Sequence, residues 1–174
     1  VAAMPGAERV TSDGVRTLYR LPGSSAVPGA AGAPLTGVSA VASRSPTDLS
    51  AALDGDTRTA WTLAPQLAGD WIRADLGAVA RVAAIGYAYG PDIGGYPRSL
   101  AVELSVDGAT WQPVWEGRGF RHALAALVRA PEDLHWQVAF DARDARYVRL
   151  RLTETAEVPW AIGELRVLRP PSGR

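Results

Sequence analysis

A chain of 174 residues is long enough for one domain with a sizeable core and some length to spare. Eighteen basic residues balance eighteen acidic ones, so no overall field draws the protein to nucleic acid or to an acidic membrane surface. There is no cysteine, which excludes disulfides, zinc–thiolate centres and cysteine nucleophiles.

Every basic residue is an arginine, and with the heavy use of Ala, Gly, Pro and Val this points to a GC-rich bacterial genome. No apolar run approaches the roughly 20 residues that a membrane helix needs, so no direct membrane insertion is expected. No charged-then-apolar export signal is present. The chain starts at Val1 without an initiator Met and reads as a piece of a longer protein, so any targeting signal is expected outside it.

Residues 1–35 read as an N-terminal preface: "GVRTLYRLP" (14–22) suits one strand, and the Pro/Gly/Ser/Ala-rich stretch at 22–34 is expected to be a linker or a surface-hugging loop. A single domain is expected over 36–170. "PTDLSAAL" (46–53) suits one helical turn capped by Thr47 or Asp48. In "LDGDTRTAW" (53–61), Asp54, Asp56, Thr57 and Thr59 crowd oxygen-bearing side chains ahead of Trp61. Such a loop is either an Asp-Gly turn whose carboxylate accepts backbone N–H groups or a wrap for a hard cation such as Ca²⁺. It is not an EF-hand, because Gly55 is misplaced and no Glu closes a twelve-residue loop.

"DWIRADLG" (70–77) and "RVAAIGYAYG" (81–90) are strand candidates. The loop "YAYGPDIGGYPR" (87–98) mixes the aromatic faces of Tyr89 and Tyr96 with the hydrogen-bonding groups of Asp92 and Arg98, which is the chemistry of a sugar site. Leu100, Val102, Leu104 and Val106 alternate with Ala101, Glu103 and Ser105, the period of a half-buried strand. Asp107-Gly108 then supplies a hairpin turn into "TWQPVW" (110–115). "HALAALVRA" (122–130) suits a short helix inserted between strands. Val148, Leu150 and Leu152 share one face of "RYVRLRL" (146–152), with Tyr147, Arg149 and Arg151 on the other. "GELRVL" (163–168) is the last strand candidate. Short strands with frequent turns, little helix and no internal repeat indicate an all-β, antiparallel sandwich or barrel.

Five segments, in this order, carry a resemblance: "SAVASRSPTDLSAALDGDTRTAW", "DWIRADLGAVARVAAIGY", "YPRSLAVELSVDGATWQPVWEG", "ARYVRLRLTE" and "WAIGELRVL". Together they resemble the discoidin family, the coagulation factor 5/8 type C domain, which overlaps the family 32 carbohydrate-binding modules. The resemblance covers about residues 39–168. It implies an eight-stranded jelly-roll β-sandwich of the galactose-binding-domain-like type, no catalytic activity, and ligand binding by loops at one end. Three features depart from the family: the long stretch at 120–136, the missing cysteine pair of many animal members, and the unmatched first 35 residues.

The resemblance also implies a structural Ca²⁺. Its ligands would be Asp54, Asp56, Thr59 through hydroxyl and carbonyl, the Ala51 carbonyl, and Glu164 from the last strand. The family fills the positions of Trp61, Trp71 and Trp111 with core aromatics; Trp115 and Trp136 are left open. Trp160, in a loop before the last strand, is either a rim platform for a sugar or a tryptophan buried under the insertion. Tyr89 and Asp92 are ligand candidates; Tyr96 and Arg98 are too, although Tyr96-Pro97-Arg98 matches a family motif that precedes a strand. Arg44, on another loop, is expected to reach the same rim.

His122 and His135 are the only histidines, and neither sits in a nucleophile or zinc motif. The Arg149/Arg151 stripe reads as a solvated strand face, because no stacking aromatics interleave along it as a nucleic-acid platform requires. Three readings follow. The first is a non-catalytic carbohydrate-binding module of a larger bacterial envelope or secreted protein, extracellular or periplasmic, with glycan and parent domains as partners. The second is a structural or protein-interaction domain that packs on its parent and has no sugar site. The third, least supported by the residues, is an enzyme. An exposed aromatic at 89 or 160 favours the first reading, and burial of both favours the second.

Overall fold

The structure is a computed structural model in which residues 8–12, 17–20, 32–44, 49–91, 93–119, 123 and 135–171 are described. The chain divides into two compact units, Val1–Ala30 and Ala31–Arg174. In the first, β1 (Glu8–Ser12) and β2 (Thr17–Arg20) pair as an antiparallel hairpin. β2 lies within the strand expected at 14–22. β1 was not expected, because Val10 is the single apolar residue of "ERVTS" and no alternation marks it.

The second unit contains β3 (Ser39–Ala42), β4 (Trp61–Leu63), β5 (Trp71–Ala88), β6 (Ser99–Ser105), β7 (Gln112–Arg118), β8 (His135–Leu152), β9 (Trp160–Ile162) and β10 (Glu164–Leu168). All their pairings are antiparallel. β5 and β8 each run for 18 residues, and their mutual ladder is interrupted between Asp75 and Ala80 and between Val82 and Ala84. Such irregularities bend a strand and increase its twist. Before the bend, β5 pairs with β3 on one side and with the end of β8 on the other, and β6 and β7 extend that layer beyond β8. After it, β5 pairs with the start of β8 and with β10. β4 and β9 form a separate pair. The result is the all-β antiparallel sandwich expected from the sequence.

One core joins these strands. Val102, Leu104, Val148, Leu150 and Leu165, the residues expected to face inward, are all buried, with Ile72, Val82, Ile85 and Ile162 beside them. Burial of such side chains contributes roughly 1.5–3 kcal/mol each. Val106 departs from the expected alternation: β6 ends at Ser105, and Val106 is 54% exposed. Asp107 stops the strand there by accepting the backbone N–H groups of Ala109 and Thr110. The backbone bonds from Thr110 and Ala109 hold its carboxyl down at about 2.

The tryptophans divide differently from expectation. Trp61 is a core residue, and Trp136 is buried. Trp71 and Trp111 are only partly buried. Trp71 is out of phase with the inward-facing Ile72, and Trp111 precedes β7 with the Arg149 guanidinium 4.1 Å above its ring. Residues ahead of β3 run beside β10: Pro34 bridges Leu168, and the Leu35 N–H donates to Val167 at 2.8 Å. The helical turn expected at 46–53 is a 3-10 turn, Leu49–Ala52, while Thr47 and Asp48 lie outside the described residues. So does the helix expected at 122–130, apart from Ala123. Among the described residues no helix is long and apolar enough to cross a membrane.

Candidate functional site: the oxygen loop and the loop end

The 51–59 loop gathers oxygen atoms. The Thr59 hydroxyl lies 2.8 Å from Asp54 Oδ2, 2.8 Å from the Asp56 carbonyl and 3.3 Å from the Ala51 carbonyl. One hydroxyl proton cannot serve three acceptors at once, although the Asp56 carbonyl also accepts the Thr59 N–H at 3.1 Å and Asp54 Oδ1 the Asp56 N–H at 2.8 Å. Glu164 joins from β10, where its Oε2 accepts the Gly55 N–H at 2.9 Å. Glycine lets the start of β10 lie close against Gly90 and Thr59. A Cβ on Gly163 would come within 2.5 Å of the Gly90 backbone, and Gly90 has a φ of +76°.

The donor set therefore fits a hard cation, with one correction. The Asp56 carboxylate is turned outward, where it takes the Arg58 side chain at 2.8 and 2.9 Å. The bonds from the Arg58 side chain and backbone hold its carboxyl down at about 2. Asp56 faces Thr59 with its carbonyl only. No cluster of three Asp, Glu or His residues suited to a metal is found among the described residues, so carbonyl and hydroxyl oxygens would make up much of the cage.

A second convergence builds one end of the sandwich. Gln66 is fully buried and ties three loops together. Its Nε2 donates to the carbonyls of Tyr96 at 3.0 Å and Pro159 at 2.8 Å, and its Oε1 accepts the Arg98 N–H at 3.1 Å. Its backbone pairs with Ala156. Arg44 reaches the same segment. It holds Asp70 through Nε and Nη2, at 2.8–3.1 Å, and donates to the Pro65 carbonyl. This bidentate clamp gives the Arg44 guanidinium a part in positioning the loop.

On this framework the Arg98 guanidinium lies 3.8 Å over the Tyr96 ring. Its side-chain hydrogen bonds, to the carbonyls of Tyr96 and Gly94, are long at 3.5 and 3.4 Å. Among the described residues it has no carboxylate partner. Tyr96 and Arg98 are thus the sequence candidates that the fold places together at the loop end.

Trp160 and Tyr89 are corrections. Both are fully buried, and a ring without exposed surface cannot stack on a sugar. Trp160 occupies β9, donates its indole N–H to the Tyr87 hydroxyl at 3.0 Å and meets Trp61 edge-on at 5.5 Å. Tyr89 packs edge-on against Tyr87. Burial and the nearby Tyr96 push its phenol well above the ordinary tyrosine range. Asp92 and His122 lie outside the described residues. His135 opens β8 and lines a shallow depression of about 190 Å³ with Thr57, Glu164 and Arg166. Gln66 and Asp70, which hold the loop end together, had no motif to announce them.

The F5/8 type C domain model matches residues 36–165. No curated protein compared with the chain matches it. Among solved structures, a family 32 module of Clostridium perfringens, CpGH89CBM32-5, in complex with GalNAc-β-1,3-galactose, is 19% identical with a TM-score of 0.62, covering 77% of this chain and 96% of its own. The family 32 module of C. perfringens NanJ, in complex with galactose, is 18% identical with a TM-score of 0.61, covering 80% and 98%. Chitosan-binding module 1 of a chitosanase/glucanase from Paenibacillus sp. IK-5 is 23–24% identical with a TM-score of 0.57–0.58 in two structures, covering 74–77% of this chain and 92–96% of its own. At these identities the likeness is one of fold.

Proposed function

Because this chain belongs to the F5/8 type C domain family, we propose that it is a non-catalytic carbohydrate-binding module of a larger bacterial envelope or secreted protein, holding a sugar at the loop end where Arg98 lies on Tyr96. The observation that carries the site is the Arg98 guanidinium, which is flat, partly exposed and, among the described residues, held by two long contacts to carbonyls. Its N–H groups suit sugar hydroxyls, and its plane suits the C–H face of a pyranose. The sugars held by modules of the same fold support the ligand class. Affinity at so small a site is low, and tethering within the parent raises its effect.

The same reading gives the 51–59 loop a structural Ca²⁺. The Asp54 and Glu164 carboxylates, the Ala51 and Asp56 carbonyls and Thr59 would hold it. Its contribution is positive charge that pins the loop to β10, with no part in chemistry.

Burial of Trp160 and Tyr89 favours a second reading, a structural or protein-interaction domain that packs on its parent. Titration of the whole chain with galactose, GalNAc-β-1,3-galactose and chitosan oligomers separates the two. The first reading expects one of these sugars to bind, and Arg98→Ala to weaken it about tenfold with an unchanged melting temperature, as loss of charged hydrogen bonds implies. Absence of binding to every sugar leaves the second reading.

A further inference from the structure

The outer face of the layer β3–β5–β8–β6–β7 carries an arrangement that the linear sequence conceals. Register places Arg73 of β5 directly opposite Arg149 of β8, and Trp71 opposite Arg151. Aromatic rings therefore do interleave with the arginines, but across strands. The Arg149 guanidinium lies 4.1 Å over Trp111, Arg146 lies 5.0 Å over Tyr147, and Arg73 sits 5.9 Å from Trp71 and 5.5 Å from Tyr147. Two carboxylates hold three of the four cations. Glu103 takes Arg149 at 2.6 Å and Arg151 at 2.9 Å, and Asp75 takes Arg146 at 3.0 Å.

Arg73 is left over. It makes neither an ion pair nor a side-chain hydrogen bond among the described residues, and its Nε is buried without a partner. Like charges directly opposite on neighbouring strands destabilise a sheet. Arg73, Arg146, Arg149 and Arg151 share Glu103 and Asp75, whose carboxyl Arg73 also lowers through its charge, with Glu116 one strand further on opposite Ala101, in a chain whose formal charge is zero. A face with that excess, and with an Arg73 guanidinium that has no ion-pair partner among the described residues, is complementary to an anion.

We propose that this face is a second binding surface, for a polyanionic glycan whose carboxylate or sulfate groups bridge Arg73 and Arg149. It is distinct from the loop end. A glycan fits better than single-stranded nucleic acid because guanidinium groups already cover aromatic faces on which bases would stack. Carboxylate and sulfate oxygens accept paired N–H groups from guanidinium forks.

The test is affinity electrophoresis of the whole chain through gels containing polygalacturonate, dextran sulfate or neutral dextran, with a single-stranded oligonucleotide titrated separately. Retardation by either acidic polymer, but not by dextran, is expected, and the two polymers tell carboxylate from sulfate. Arg73→Gln is expected to weaken retardation about tenfold without changing the melting temperature or loop-end sugar binding, and Arg73→Lys to restore part of it. No retardation by either polymer, equal retardation of wild type and Arg73→Gln, or equal or tighter binding of the oligonucleotide would overturn the proposal.

Discussion

Trp160 is held on two sides at once, by the hydroxyl of Tyr87 at its N–H and by Trp61 against its ring. Truncation of such a residue removes packing and orphans a buried partner. Trp160→Ala should therefore cost about 3–5 kcal/mol of stability, read as a lowered denaturation midpoint. A variant with wild-type stability and no sugar binding would instead put the indole at the rim. The sequence could not distinguish these outcomes. "AEVPWAIGE" looks like a loop, because β9 is three residues long and its partner, β4, lies about a hundred residues away. Gln66 escaped notice for the same reason: its value lies in carbonyls contributed by distant loops. Asp56 shows how a neighbour in sequence redirects a side chain. Its carboxylate belongs to the 51–59 loop but is taken by the Arg58 side chain two residues on.

At the scale of elements, period-two alternation found the inward residues Val102, Leu104, Val148 and Leu150, but β6 is not the half-buried strand expected, because Ala101, Glu103 and Ser105 are buried as well. Alternation did not reveal that the segments at 70–77 and 81–90 are one strand. Residues 77–79, where they meet, are exposed and interrupt the apolar pattern where the strand bends. Nor could it show that Arg73 and Arg149 share a row, since cross-strand register is not written in either strand alone. The 51–59 loop yields the prediction for this scale. If Ca²⁺ links Asp54 to Glu164, saturating ion stabilises the fold by about 2.7 kcal/mol at a hundredfold excess over Kd. Chelator should lower the melting temperature, millimolar Ca²⁺ should restore it, and Asp54→Ala should abolish the response. Asp56→Ala should largely retain it, because the Asp56 carbonyl survives the substitution. Identical melting curves with chelator and with Ca²⁺ would make the loop a simple turn.

For the whole molecule, the order of five weak motifs carried more information than any one of them, and it led to the family and the sandwich. It did not carry the ligand site, because the loops that such a fold uses are where the chain has most freedom to differ. Zero net charge likewise hid an arginine-rich face, since a sum over the chain says nothing about distribution. The central claim is that a sugar binds where Arg98 rests on Tyr96. Backbone amide shifts recorded by NMR while the whole chain is titrated with its best-binding sugar test it most directly. The account predicts saturable perturbations concentrated at residues 94–98 and in the adjoining 65–69 and 153–159 segments, and their loss in Arg98→Ala. Perturbations centred elsewhere on the sandwich, or none with any sugar, would contradict it.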